Sequence, residues 1–104
     1  MGQIVLTYDT NVKTNNTDNL NLASSWTVGV PGTTELAIWN ATVVGANTTA
    51  LGADLEFGGI SILNVGGLVT INGPNTLTLG AAATDINMGS AAADLTLSCP
   101  LVLG

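Results

Sequence analysis

The stretch LTLGAAATDINMGSAAADLTLSCPLVLG, Leu77 to Gly104, opens on LTLG at 77–80 and closes on LVLG at 101–104. Between these phrases stand two more triplets of the same kind, INM at 86–88 and LTL at 95–97. Strict alternation over three to five residues marks a strand with one face buried. Leu68, Leu77, Ile86 and Leu95 fall nine residues apart, while the Leu-Gly pair recurs at 51–52, 79–80 and 103–104, at intervals of 28 and 24. A unit of that length made of three such phrases is one coil of a solenoid with three sides.

Laying residues 52–79 over 80–103 superposes ISI (60–62) on INM, VTI (69–71) on LTL and LTL (77–79) on LVL. The outer two residues of each triplet then face the lumen and the middle one faces solvent. That places Ser61 over Asn87, Thr70 over Thr96 and Thr78 over Val102. The upstream coil fits with LAI (36–38), TVV (42–44) and TAL (49–51) as its sides. Gly58-Gly59, Gly66-Gly67, Asn72-Gly73-Pro74-Asn75 and Cys99-Pro100 supply the turns a triangular coil needs. Ala81–Ala83 and Ala91–Ala93 are small enough for closely packed corners. No window carries apolar residues at helical spacing over three turns, so the chain reads as all-β.

The first third differs in character. IVLTYD (4–9) reads as a strand, NVKTNNTDNLN (11–21) as a polar loop, and SSWTVGVPGTTELAIWN (24–40) as two strands about Pro31-Gly32. Terminal repeats of solenoids are atypical because they cover the open end of the core. Residues 1 to about 34 are therefore expected to form an N-terminal β cap, with Trp26 and Trp39 as its large apolar plugs. Residues 35–104 are expected to form about three coils, near 35–51, 52–79 and 80–104, of three short strands each.

Composition excludes several functions. The chain has one Lys, no Arg and no His against seven acids, for a net charge of −6. Nucleic acids and anionic membranes are bound through clustered basic residues, and Lys13 alone cannot supply them. The commonest general base and metal ligand is absent. Only 8% of residues are charged, and Gly, Thr or Asn interrupts every apolar run before it could span a membrane. Solubility resting on Thr and Asn is typical of secreted, repetitive β proteins. MGQIVLTYD has neither the charged start nor the long apolar run of a signal peptide, so an export signal, if used, would have been removed or lie upstream.

The run LGADLEFGGISILNVGG…VTING…TLTLGAAATDINMGSAAADLTLSCPLVLG, preceded by a W…G.P…A.WN segment, resembles the autotransporter-associated β-strand repeat, also called the passenger-associated transport repeat. The resemblance covers about residues 24–104. It implies a right-handed parallel β-helix serving as stalk, adhesin or surface fibre of a secreted or surface-attached bacterial protein, without an enzymatic role in the repeat. Cys99 stands where a small residue such as Ala is usual.

No catalytic, cofactor or metal site is expected. Asp54 and Glu56 share a strand face, but glycosidic chemistry needs two carboxylates flanking a cleft. Acids that precede strands, at Glu35, Asp54, Asp85 and Asp94, suit corner acceptors for backbone N–H groups. The glycine-rich calcium-binding nonapeptide is missing. An ice-binding face needs stacked ranks of outward threonines, and the aligned coils supply a two-rung ladder at most. The sequons at Asn15, Asn40 and Asn47 follow from a composition rich in Asn and Thr. Cys99, without a partner in the chain, reads as a small buried apolar residue.

Assembly remains. The last rung leaves unpaired N–H and C=O groups and an open lumen, with no capping element after it. Either the chain is a segment of a longer array, or another subunit adds to that rung, a head-to-tail contact that generates a filament. The residues expected at the joint are Leu101, Val102 and Leu103 at one end and Ile4 and Leu6 at the other. The expectation is thus an extracellular or cell-surface, non-enzymatic building block that homo-oligomerises end to end. A carbohydrate-binding adhesin module, recognising a surface glycan through the 11–21 loop and the two tryptophans, is the alternative.

Overall fold

The computed structural model describes residues 9–80 and 86–103. Ile4, Leu6, Ala81–Ala83, Asp85 and Gly104 lie outside the described residues. The described residues form ten short strands: β1 (Asp9–Val12), β2 (Glu35–Trp39), β3 (Asn47–Ala50), β4 (Leu55–Phe57), β5 (Gly59–Ile62), β6 (Val69–Asn72), β7 (Leu77–Leu79), β8 (Ile86–Asn87), β9 (Leu95–Ser98) and β10 (Leu101–Leu103). Among the described residues the helical content is a single 3-10 turn, Ala23–Ser25.

All strand pairings are parallel and build three walls: β1-β2-β5-β8, β3-β6-β9 and β4-β7-β10. Three circuits of the chain each lay one strand in each wall and β1 adds a fourth rung to the first wall alone, which is a parallel β-helix of about four turns. The expected register holds over the last two circuits: Ile60 pairs with Ile86, Val69 with Leu95 and Leu77 with Leu101. Side chains alternate between faces, so residues paired in parallel stack in columns along the lumen. Leu77, Leu79, Val69, Ile71, Ile60 and Ile62 are fully buried there.

The upstream circuit departs from the expected reading. Ala37 pairs with Ile60 and Trp39 with Ile62, so Ala37 and Trp39 face inward and not Leu36 and Ile38. LAIW is apolar at both parities, and burying the indole decides the phase. TVV (42–44) is a corner rather than a side, with Val43 buried and Val44 exposed. The second side is Asn47–Ala50, which stacks on Val69–Asn72. The third side is Leu55–Phe57, which stacks on Leu77–Leu79, where TAL had been expected.

The solenoid also begins earlier than expected. β1 pairs with β2 from Asp9–Glu35 to Val12–Ile38, which makes part of the presumed cap a rung of the first wall. That rung brings the count from about three coils to about four turns. At the corners, the coil-to-coil approach is close enough that a Cβ at Gly66 would collide with the Val44 carbonyl, and Gly52 takes a φ of +79°.

Candidate functional site

The lumen columns change chemistry along the solenoid. Reading toward the C-terminus, the first wall presents Asn11, then Ala37, Ile60 and Ile86. The second presents Asn47 and Thr49, then Val69 and Ile71, then Leu95 and Leu97. The third is apolar throughout: Leu55 and Phe57, Leu77 and Leu79, Leu101 and Leu103. The two ends of the molecule are therefore chemically different surfaces.

At the N-terminal end, residues 14–28 fold back as a lid. Lys13 continues β1 by donating its backbone N–H to Ile38 O at 2.8 Å, and it forms an antiparallel bridge with Trp26. Its side chain is fully buried, and Nζ donates to Thr14 O at 3.0 Å, Asn16 O at 2.8 Å and Asn16 Oδ1 at 2.9 Å. Three acceptors match the three donors of an ammonium group, which is what makes burial of this charge tolerable. Burial pushes the Lys13 ammonium below the ordinary lysine range, partly offset by the nearby Asp18 carboxylate.

The lid also covers strand edges. Thr27 N donates to Val12 O and Thr14 N donates to Ser25 O, which engages the outer edge of the first rung. Over the second wall, Leu20 N donates to Ala50 O, Asn21 N to Leu51 O, and Asn47 Nδ2 to Asn16 O at 2.8 Å. Trp26, carried by the lid, meets Trp39 edge to face at 5.4 Å between ring centroids, with Phe57 at 5.6 Å from Trp26. Trp26 Nε1 donates to Leu20 O and Trp39 Nε1 to Asn47 Oδ1. Both tryptophans are buried, so neither offers a ring face on which a sugar could stack. Thr49 Oγ1 is buried with no hydrogen-bond partner among the described residues.

At the C-terminal end nothing among the described residues covers the lumen. β8, β9 and β10 are the edge strands of their walls. Leu101, Val102 and Leu103 are 37%, 49% and 57% exposed, while Ile86, Leu95 and Leu97 are half-buried. The columns that are fully buried one rung earlier are partly exposed here. Cys99, at the corner before β10, is half-buried and not fully buried as expected, and burial pushes its thiol pKa up.

Among the described residues the outer walls carry no constellation of reactive groups. Asp54 Oδ1 accepts from Thr76 N at 2.9 Å and Glu35 Oε1 from Gly32 N at 2.9 Å, the corner role expected of these acids. Among the described residues no group of three His, Cys, Asp or Glu side chains could hold a metal ion. Thr48, Thr70 and Thr96 are in register, so the second wall has a threonine ladder of three rungs where two were expected; its second outward column is Ala50, Asn72 and Ser98. Asn47 is buried, which removes it as a glycan acceptor in the folded chain. Among the described residues no helix is long and apolar enough to cross a membrane, which leaves membrane-spanning strands unaddressed.

The sequence drew attention to the two tryptophans and to Leu101–Leu103, and missed Lys13 and Asn47. The only available signal for Lys13 was its place in phase with Asn11 in DTNVK, and lysine is almost never fully buried unless paired. Compared with protein-family models, with curated proteins and with solved structures, the chain finds no match.

Proposed function

We propose that the chain is a non-enzymatic structural β-solenoid, an extracellular building block that joins copies of itself through its C-terminal rung. The observation that carries this reading is the exposure of Leu101 and Leu103 in register with the fully buried Leu77 and Leu79. An apolar rung with unpaired backbone donors and acceptors is a template for strand addition. Each strand added there gains main-chain hydrogen bonds and removes leucine side chains from water, at roughly 25 cal/mol per Å² of apolar surface.

The composition supports the same role. A surface of Thr, Asn and Gly with few charges suits a secreted repeat protein, and the likeness to autotransporter-associated repeats points to the cell surface. An adhesin that reads sugars through Trp26 and Trp39 has no support in the geometry, because both residues are buried.

Size-exclusion chromatography and electron microscopy of the purified chain test the reading. Multimers that form with rising concentration, and that Leu103→Lys suppresses without changing the circular dichroism, are the expected result. A strictly monodisperse monomer at high concentration overturns it.

A further inference from the structure

We propose that Asn72-Gly73, at the end of β6, is a site of spontaneous covalent modification that its pairing with β9 keeps unreacted: the asparagine converts to aspartate or isoaspartate when those two strands separate. An asparagine loses its amide when the backbone nitrogen of the next residue attacks its side-chain carbonyl carbon. A side chain on that next residue crowds the attack, and glycine has none. Asn72-Gly73 is the one Asn-Gly pair in the sequence, and every other asparagine is followed by a residue with a Cβ.

The fold pins the group that has to move. Asn72 stands half-buried in the second outward column of its wall, in register with Ala50 on one neighbouring coil and Ser98 on the other. The peptide unit that joins Asn72 to Gly73 is bonded to both coils: Asn72 O accepts from Leu51 N at 3.1 Å, and Gly73 N donates to Ser98 O at 3.0 Å. Bringing Gly73 N onto the Asn72 side chain requires that peptide plane to rotate, which breaks these ladder bonds. Separation of β9 from β6 releases Gly73 N and leaves only the bond from Leu51 to resist. The opening that exposes the site is therefore local and does not require the whole chain to unfold.

The chemistry needs only water. Gly73 N gives its proton to solvent base and bonds to Asn72 Cγ, the Cγ–Nδ2 bond breaks, and Nδ2 takes up a proton and leaves as ammonia. The cyclic imide then adds one water at either carbonyl, which yields aspartate or isoaspartate at position 72. Both products place a carboxylate in a column that otherwise holds Ala50 and Ser98. Isoaspartate also routes the backbone through the side-chain carbon, adding an atom to β6 between its bonds to the two neighbouring coils. The strand then cannot return to its register on β9, so an opening of this rung is recorded irreversibly in the covalent structure.

Mass spectrometry with residue-level fragmentation, following the chain over time at mildly alkaline pH in buffer and in denaturing urea, tests the proposal. In urea Asn72 should convert first among the asparagines. In buffer it should convert at least about tenfold more slowly, because the reaction waits on the opening. Gly73→Ala should suppress the conversion in urea, and the fold has room for it, since a Cβ there would lie 3.4 Å from Cys99 Cα, an ordinary contact. Leu97→Ala, which loosens β9 from the lumen, should speed the conversion in buffer with circular dichroism unchanged; should that variant unfold, urea below the unfolding transition of the unmutated chain supplies the same loosening. Another asparagine reacting ahead of Asn72 in urea overturns the site. Equal rates in buffer and in urea, or a rate in buffer that loosening β9 leaves unchanged, overturn its protection by β9.

Discussion

The first rung, β1 on one wall, and the last, β8, β9 and β10 on three, end the described part of the solenoid in opposite ways. The first wall opens on Asn11 and Lys13, both fully buried, with the lid's backbone laid across the strand edge. The last rung offers Leu101 and Leu103, exposed and apolar. Buried polar groups are tolerable only when their partners are in place. The polar first wall therefore depends on a lid that supplies carbonyls, while β4 remains the outer strand of the third wall at the same end. Among the described residues nothing comparable covers Leu101 and Leu103.

The comparison is broken most severely at Trp39, which fills the lumen under the lid and touches Trp26 edge to face. Trp39→Ala should cost about 3–5 kcal/mol in urea unfolding, and hydrogen exchange should show the lid opening before β6 and β7. Lys13→Met removes the three hydrogen bonds that fold residues 14–16 around the ammonium. The loss should be about 1–3 kcal/mol, because Thr14 O and Asn16 Oδ1 and O lose their charged donor, although Thr14 O still accepts from Asn16 N and Asn16 O from Asn47 Nδ2.

Lys13 also carries a pH signature. Its pKa is lower folded than unfolded, so the unfolded chain holds more protons between the two values. Its contribution to stability is thus fully present above the ordinary 10.5 and is lost as pH falls through the folded value. Wild type minus Lys13→Met should gain stability with rising pH just below 10.5, as measured by denaturant midpoints; a flat difference would show that the ammonium is not desolvated.

Thr49→Val sharpens the comparison in the opposite direction. The hydroxyl is buried and unpartnered, so a valine of nearly the same shape should stabilise the chain by about 1 kcal/mol. The smallest effect belongs to Leu103→Lys, which should change the monomer's unfolding free energy by no more than about 0.5 kcal/mol. A large loss there would mean that the last rung is closed in the monomer after all.

Legibility in the sequence followed the lumen's chemistry. Where both lumen residues of a strand are aliphatic and the middle residue is polar, as in VTI and LTL, alternation named the strand and its register together. LAIW is apolar at both parities, so alternation was silent on its phase. NTTA carries a polar lumen pair, Asn47 and Thr49, and was invisible as a strand. The two tryptophans were legible as core because of their size. The lysine that organises the lid was not, because its burial depends on the Asn16 and Thr14 carbonyls arriving from a loop.

The amino-acid sequence by itself determined the repeat: its period, its three walls and its glycine-rich corners. These are local and periodic properties, set by which residues alternate and which tolerate a tight turn. Only the tertiary structure decided the phase of β2, the addition of β1 as a fourth rung and the difference between the two ends. Register along a solenoid comes from stacking on the neighbouring rung, and the character of an end comes from what folds over it.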